Sequence, residues 1–224
     1  MKEQRVEAVE KALSVLEAFS IERRTLSLSD IARETGLYKS TVLRLAFSLE
    51  RYGYLKRGDD LQYRLGPALW RLGALYRRSF DMGETIRPTL RQLVEATGET
   101  ASFYVLDQDE RLCLYRENSS NPIRHHLEEG ARLTVRVGAA GHVLAAYGLN
   151  DPKARSRLAG AGFAVSEGER NPHVGAIAAP LFDAAGQFHG ALAVSGPKDR
   201  FDHVAREAAI PVLLETAASL ARHL

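Results

Sequence analysis

The chain has 224 residues, of which 45% are hydrophobic and 26% charged. This composition is typical of a globular protein and excludes a disordered chain. Cys113 is the only cysteine, so no disulfide can form within the chain, and we expect a reducing compartment. No apolar run approaches the roughly 20 residues of a membrane helix, and residues 1–10 are too polar for a signal peptide, which predicts a cytoplasmic protein without a membrane partner.

Charge is distributed unevenly along the chain. Residues 1–80 carry 15 Lys and Arg against 10 Asp and Glu, a net charge of +5, whereas residues 81–224 have a net charge of −3. A basic N-terminal part joined to a mildly acidic remainder is typical of a DNA-binding domain followed by a domain with another role.

Residues 6–20 form the first amphipathic pattern. Val9, Leu13 and Leu16 recur on one stripe of a predicted helix. We expect this stripe to pack under the helices that follow. A role of the same helix in dimerisation is compatible with this packing.

Residues 29–36 predict a short helix and its end. Ser29 is a suitable N-cap for a helix over residues 30–35, because its hydroxyl can accept a hydrogen bond from a free backbone N–H of the first turn. Gly36 follows at the point where a helix must end in a left-handed conformation.

A second helix is predicted from about Lys39 to Tyr52. Val42, Leu45 and Leu49 form its apolar face, and the opposite face carries hydroxyl and guanidinium groups. A helix with these two faces suits the major groove of DNA, so residues 29–52 predict a helix-turn-helix. The alternative is an ordinary helical hairpin whose charged side is only solvated.

A basic β-hairpin follows the second helix. Residues 53–57 and 61–65 predict two short strands joined by a turn at residues 58–60. Such a hairpin is the wing of a winged helix, and its cationic side chains would reach phosphates or the minor groove. These side chains are Lys56, Arg57 and Arg64.

The next residues predict two helices. The first opens on Pro67 and runs to about residue 80, and we interpret it as a rigid linker between domains. The second covers residues 84–97, contains Pro88 and ends at Gly98.

From residue 101 onward the pattern is mainly that of strands. The pattern predicts hairpins, single strands and two helices, which together make an α+β domain. The strands are predicted at residues 101–106, 111–117, 123–127, 132–137, 174–182 and 187–195, and the helices at residues 139–147 and 202–223, the latter bent at Pro211.

Both halves together resemble the IclR family of bacterial transcriptional regulators. The resemblance rests on LSDIARETGLYKSTVLRLAFSLERYGYL at residues 28–55, GAAGHVLAA at 138–146 and VGAIAAPLFDAAGQFHGALAVSGP at 174–197. It implies a winged helix-turn-helix domain over residues 1–66, a linker helix over 67–80, and a GAF-like effector-binding and oligomerisation domain over 81–224. It also implies a homodimer or homotetramer on a palindromic DNA operator, without a cofactor.

The resemblance implies which residues contact DNA. Family recognition helices enter the groove through their N-terminal end, so the matching positions are Tyr38, Lys39, Ser40, Thr41 and Arg44. Hydroxyl groups there are expected to hold phosphates, whereas Arg44 is equally suited to a guanine edge and to a phosphate. Arg51, on the polar face of the same helix, completes the predicted surface together with the wing cations.

A candidate effector site begins at the helix over residues 139–147. The free N–H groups of Ala139, Ala140 and Gly141, just after Gly138, would attract a carboxylate. The hairpin over residues 174–195 is rich in small side chains that would leave room for a ligand. The residues alone favour the alternative, in which a helix packs closely on a sheet.

The resemblance changes that weighing. In family members that bind small oxo-acids, an acidic residue, a cysteine and two serines line the site, and they align with Ser166, Ala176, Ala193 and Ser195. Only Ser195 keeps the polar group. A roomier and less polar site suits an organic acid with an apolar or aromatic body, with Arg136 either at the rim or merely on the surface.

Two other functions stay open. Some GAF-like domains are reductases with a nucleophilic thiol, but Cys113 stands alone in a strand and is expected to be a small buried hydrophobe. His125 and His126 are adjacent in a predicted strand, so they would point to opposite faces and not share a metal ion. The third possibility is a C-terminal domain that only oligomerises.

Overall fold

The computed structural model describes residues 5–79, 82–158 and 160–224, with the backbone alone at residues 77–79. The chain divides into two compact units, Met1–Ser79 and Phe80–Leu224, and each is described by itself. Phe80 and Asp81, where the predicted linker helix would end, lie outside the described residues. None of the described helices is long and apolar enough to cross a membrane.

The first unit is a winged helix-turn-helix. Its two strands pair antiparallel, with Leu55 opposite Leu65, and its core is formed by apolar side chains from every element before α4. The elements are α1 (Glu7–Glu17), α2 (Leu28–Thr35), α3 (Lys39–Arg51), β1 (Leu55–Arg57), β2 (Tyr63–Leu65) and α4 (Pro67–Ser79). The fully buried side chains include Val15, Ile31, Val42, Ala46 and Tyr63.

The N-cap of α2 is Ser27, so the prediction of Ser29 is wrong. The Ser27 hydroxyl accepts a hydrogen bond from the N–H of Asp30 at 3.1 Å, and the Asp30 carboxylate accepts one from the N–H of Ser27 at 3.1 Å. This reciprocal pair is a capping box, which satisfies two free N–H groups at once. Hydrogen bonds from Ser27 and Arg33 lower the pKa of Asp30 to about 2. Gly36 ends the helix with φ of 69°, as predicted.

The buried face of α1 also differs from the prediction. Val15 and Ala18 are buried, whereas Val9 and Leu13 are 54% and 55% exposed. Only the end of α1 and the residues just after it contact the core of this unit, through side chains within residues 15–19. Leu16, on the same predicted stripe, is half-buried and packs against the core as expected, so the exposed apolar surface of α1 consists of Val9 and Leu13.

The second unit is built on one antiparallel sheet of six strands in the order β5-β4-β3-β8-β7-β6. The chain enters it through a helix and leaves it through another. The elements are α5 (Gly83–Thr97), β3 (Thr100–Asp107), β4 (Glu110–Glu117), β5 (Arg132–Thr134), α6 (Ala139–Tyr147), α7 (Pro152–Leu158), β6 (Ala164–Glu167), β7 (Val174–Phe182), β8 (Phe188–Pro197) and α8 (His203–Ala221).

Helices cover both faces of this sheet. On one face α5 and α8 pack against Phe103, Ile177 and Leu192, all fully buried. On the other face α6 packs against Ala178 and Ala191, also fully buried. Alanines let the helix approach the strands closely, so part of the small-residue pattern reflects helix-on-sheet packing. The α+β architecture matches the prediction.

Residues 123–127 do not form a strand, contrary to the prediction. They lie in an irregular segment, residues 118–130, which we call the strap. Arg116 donates a hydrogen bond to the carbonyl of His125, and Arg200 donates one to the carbonyl of Ile123 at 2.9 Å. Guanidinium groups thus satisfy the carbonyls that a neighbouring strand would have satisfied.

Smaller differences concern the ends of elements. β5 stops at Thr134 rather than at residue 137, and α7 and β6 were not predicted. Pro88 lies inside α5 and Pro211 inside α8, and each helix continues through its proline. Gly98 ends α5 with φ of 71°, in the left-handed conformation that the sequence indicated.

Candidate functional site

The candidate DNA surface begins at the start of α3. Tyr38 precedes the helix in an extended conformation and is 85% exposed, and no side chain caps the first turn. The Thr41 N–H donates to the Tyr38 carbonyl at 2.9 Å, whereas the N–H groups of Lys39 and Ser40 have no partner among the described residues and remain available to an anion such as a phosphate. Lys39, Ser40, Arg44 and Arg51 are exposed, and Thr41 is half-buried.

The wing carries the other three predicted DNA contacts, and all three are exposed. Arg64 forms two hydrogen bonds to the Asp60 carboxylate, at 2.6 and 3.2 Å, so part of its charge is neutralised within the wing. The Arg57 guanidinium lies 5.3 Å from the centre of the Tyr63 ring. The N–H of Arg57 donates to the Glu50 carboxylate at 3.0 Å, which fixes the wing to α3.

A cavity in the second unit lies beside the N-terminus of α6, between that helix, the sheet and the strap. Its volume is about 40 Å³, room for one water molecule. It is smaller than the predicted roomy pocket. Seven of the nine predicted effector-binding residues line it, namely Gly138, Ala139, Ala140, Ser166, Ala176, Ala193 and Ser195.

The other two predicted residues do not line the cavity. Arg136 is exposed in the turn after β5. Gly141 lies on a different side of α6, where a Cβ would be 2.6 Å from the carbonyl oxygen of Val135. The helix turns Gly141 away from the cavity, and Arg136 takes the surface position that was one of its two predicted alternatives.

Several lining residues were missed by the sequence interpretation. They come from β3, β4, the strap, β5, the loop before β7 and the start of β7, elements that are far apart in the sequence. They are Tyr104, Arg111, His125, Leu133, Arg170, Asn171 and Val174. Arg111 could have been found from one pattern. It lies two residues before Cys113 in the same strand, so both side chains point to the same face, and Cys113 was expected to be buried and is fully buried.

Arg111 is the most unusual of these residues. It is only 5% exposed, and its Nε has no hydrogen-bond partner among the described residues. The guanidinium carbon lies 5.4 Å from the centre of the Tyr104 ring, and a Cβ placed on Gly138 would be 3.2 Å from Nη1. Burial lowers the pKa of Arg111 from its ordinary value, although arginine stays protonated in proteins.

His125 joins the cavity to the loop before β7. Its Nδ1 lies 3.0 Å from Ser195 Oγ, and its Nε2 lies 2.5 Å from an Arg170 guanidinium nitrogen. Burial, together with the positive charges of Arg116 and other neighbours, lowers the pKa of His125 to about 3, so the ring is neutral. Because Arg170 can only donate, Nε2 accepts and Nδ1 carries the proton that it donates to Ser195.

The adjacent His126 has a separate partner, Glu128, at 3.0 Å. The two histidines therefore have different partners, although the strand from which this was predicted does not form. Among the described residues, no group of three or more His, Cys, Asp and Glu could hold a metal ion. Cys113 is buried, and burial raises the pKa of its thiol to about 11, which disfavours the reactive thiolate.

The N-terminus of α6 already holds a carboxylate of the same chain. The N–H of Gly138 donates to a Glu169 oxygen at 2.9 Å, and His142 Nε2 lies 2.8 Å from the same oxygen. Partial burial raises the pKa of Glu169, but these two hydrogen bonds together with the charges of His142 and Arg111 hold the pKa below its ordinary value. A carboxylate of the chain thus lies next to the predicted anion site, although it engages Gly138 and not the predicted N–H groups of Ala139, Ala140 and Gly141.

Two family models cover most of the chain. The IclR helix-turn-helix domain matches residues 8–59, and the bacterial transcriptional regulator IclR C-terminal domain matches residues 74–158 and 152–222. The chain belongs to the IclR family of transcriptional regulators. Proteins of this family combine a DNA-binding domain with a C-terminal ligand-binding domain.

Individual relatives extend over nearly the whole chain. The HTH-type transcriptional regulator BhcR of Paracoccus denitrificans is 29% identical over 96% of this chain and 86% of its own length. A crystal structure of an IclR transcriptional regulator from Silicibacter sp. TM1040 is 30% identical, with a TM-score of 0.78 over 96% of this chain and 94% of that one. An IclR homolog from Microbacterium hydrocarbonoxydans, complexed with 4-hydroxybenzoate, has a TM-score of 0.82 at 23% identity, over 96% and 98% of the two chains.

Proposed function

We propose that this IclR-family protein is a transcriptional regulator whose operator binding changes when a small organic acid with an apolar or aromatic body binds its second unit. Residues 1–66 bind DNA, residues 67–80 act as the linker, and residues 81–224 bind the effector and oligomerise. The protein acts in the cytoplasm, without a cofactor or a catalytic site.

The observation that carries this proposal is the composition of the α6 cavity. One part of its lining consists of methyl groups, from Ala139, Ala176 and Ala193. Another part consists of hydrogen-bond donors, among them Arg111 and Ser195. A ligand with an apolar body and one anionic group matches both parts.

The cavity must enlarge to admit such a ligand, since 40 Å³ holds only water. Residues 168–173 cover it, held by Glu169 on α6 and by Arg170 on His125. Movement of this loop would open the site. A ligand that binds the open arrangement more tightly shifts the population toward it, which is the requirement for control of a distant DNA-binding unit.

On DNA, the exposed start of α3 would enter the major groove and the wing would lie on the backbone. Arg44 reads a base edge or holds a phosphate, and the hydroxyls of Ser40 and Thr41 hold phosphates. The protein binds a palindromic operator as a homodimer or homotetramer. The exposed stripe of Val9 and Leu13 on α1 supplies an apolar contact between copies.

Thermal unfolding in the presence of carboxylic acids tests the proposal. The series runs from glyoxylate and pyruvate to benzoate, 4-hydroxybenzoate and 3-phenylpropanoate. 4-Hydroxybenzoate is included because the Microbacterium homologue was crystallised with it; at 23% identity, the likeness to that homologue shows only a shared fold. A ligand at a hundred times its dissociation constant adds about 2.7 kcal/mol of stability.

Operator binding is then measured with and without the stabilising acid. A changed affinity supports the proposal. Stabilisation by the smallest oxo-acids alone would contradict the apolar body of the ligand. A flat series, with unchanged operator affinity, would favour a second unit that only oligomerises.

A further inference from the structure

The polar groups around the α6 cavity are mainly hydrogen-bond donors. The Arg111 guanidinium can only donate. Ser195 Oγ already accepts from His125 Nδ1, because the other ring nitrogen is engaged by Arg170, so the hydroxyl proton of Ser195 is free to donate. The lining also contains two arginines, Arg111 and Arg170, and no Asp or Glu among the described residues, so it favours an anionic ligand over a cationic one.

Two positions compete for the anion. At the N-terminus of α6, the Gly138 N–H is engaged by Glu169, whose negative charge repels a second carboxylate. At β4, Arg111 has a buried Nε without a partner, and among the described residues no Asp or Glu forms an ion pair with it. The charge of Glu169 acts on Arg111, but only from beyond ion-pair distance. A carboxylate that reaches hydrogen-bond distance of the buried guanidinium therefore gains more there than at the Gly138 N–H, which is already engaged.

The position of Arg111 is also well defined. β4 is a central strand, paired with β3 on one side and β5 on the other, with Arg111 opposite Leu106 and Leu133. The guanidinium lies over the Tyr104 ring and against Gly138, where any larger residue would crowd it. A planar donor fixed in this way is prepared for a carboxylate with little loss of side-chain freedom.

We infer that Arg111 is the residue that binds the carboxylate of the effector, with Ser195 as a second donor. Glu169 excludes a second anionic group beside α6, so the effector is a monocarboxylate whose apolar body lies along the alanines. This inference rests on the proposed function and assigns it a residue and a ligand class.

The test compares wild type, Arg111→Met and Arg111→Lys, with Arg136→Met as the control. Arg136 is exposed outside the cavity, so the control removes one positive charge without touching the lining. The probes are pyruvate, benzoate, 4-hydroxybenzoate and 3-phenylpropanoate, with benzamide as a neutral analogue and benzene-1,4-dicarboxylate as a dianion. Dissociation constants come from calorimetry and stability from thermal unfolding.

The wild type and Arg136→Met are expected to bind at least one monocarboxylate, and to bind benzamide and the dianion more weakly. Arg111→Met weakens the binding of that monocarboxylate by roughly 10- to 150-fold, which corresponds to the loss of a charge-assisted hydrogen bond. Arg111→Lys retains part of the affinity. Without ligand, Arg111→Met unfolds at a temperature equal to or above that of wild type, because an unpaired buried charge has been removed.

Equal affinity of wild type and Arg111→Met for a monocarboxylate would overturn the inference. If that acid still changed operator binding in Arg111→Met, the proposed function would stand and only the assigned residue would fall. A wild type that no monocarboxylate stabilises would also overturn the inference. An Arg111→Met variant that unfolds well below wild type without ligand would show a structural role instead.

Discussion

Individual residues of the α6 cavity combine burial with a fixed hydrogen-bonding role. His125 is neutral because burial and neighbouring arginines oppose its protonation, and this state directs the Ser195 hydroxyl toward the cavity. Arg111 keeps its charge although it is buried without an ion-pair partner among the described residues. The cavity lining thus offers a ligand the buried guanidinium of Arg111 and the hydroxyl proton of Ser195.

The pKa of His125 predicts how stability depends on pH. In the folded protein the pKa is about 3, against an ordinary value of 6.5, so the unfolded chain binds one more proton between these values. Stability therefore falls as pH decreases below about 6.5, by up to about 1.4 kcal/mol per pH unit. His125→Gln, which keeps a donor and an acceptor, is expected to remove this part of the loss.

Urea unfolding at pH 7.5 and pH 5 measures the loss of folding stability between these two pH values. His126→Gln is the matched control, since this neighbour is paired with Glu128 outside the cavity. The control should lose as much stability as wild type between the two pH values. An equal loss in His125→Gln would contradict the assigned cause.

Residue-scale prediction succeeded where the motif was local in the sequence. Gly138, Ala139 and Ala140 are consecutive, and Ala176, Ala193 and Ser195 were indicated by the resemblance to the family; all six line the cavity. Arg111, His125 and Arg170 were missed because they meet only through the tertiary fold. The predicted anion site was incomplete for the same reason, since Glu169 reaches the Gly138 N–H from 31 residues away.

At the scale of elements, the capping box gives a direct test of how α2 begins. Ser27→Ala should destabilise the first unit by about 1 kcal/mol, because the Asp30 N–H loses its acceptor and the Asp30 carboxylate loses the hydroxyl donor. Ser29→Ala, inside the same helix, should have little effect. Thermal and urea unfolding of both variants measure the two losses of stability. A larger loss in Ser29→Ala than in Ser27→Ala would show that Ser29 is the N-cap.

The start of α3 predicts the effect of a DNA-surface substitution. Arg44→Ala should weaken operator binding by about 1–3 kcal/mol if the side chain makes a bidentate base contact. Fluorescence anisotropy on the operator and on a random duplex separates the possibilities. Equal losses on both would indicate a phosphate contact, and no loss would remove Arg44 from the interface.

Helices and hairpins were predictable because their signals lie within one element. Gly36 and Gly98 end helices in the left-handed conformation that glycine adopts without strain, and the alternating strands of residues 174–195 form β7 and β8. The strap was not predictable as an irregular segment. Its carbonyls are bonded by Arg116 and Arg200, and no local pattern indicates such long-range side-chain bonds.

At the scale of the whole molecule, α1 predicts self-association. Leu13 is exposed on an apolar stripe, and an aspartate there would place an unpaired charge in a contact between copies. Leu13→Asp should lower the mass measured by analytical ultracentrifugation, with an unchanged circular dichroism spectrum. Glu17→Lys, an exposed change on the same helix, is the control. An unchanged mass of Leu13→Asp would place the dimer contact elsewhere.

The division of the chain into two units could be anticipated from its uneven charge, since the basic residues concentrate before residue 80. Family membership could be anticipated too, because the three quoted motifs span both units. The size of the cavity could not be anticipated from the sequence. Alanines indicate where atoms are missing, but the volume depends on which distant side chains, here Arg111, His125 and Arg170, fill the space.

The pairing of β3 with β8 has a consequence for the order of folding. Thr100 lies opposite Ser195, so the middle of the sheet joins strands separated by most of the second unit. During synthesis the residues of the first unit leave the ribosome together, and domains fold as units from the N-terminus. A nascent chain would therefore possess a folded winged helix well before β8 closes the sheet. The unit that binds DNA would exist first, and its means of chemical control last.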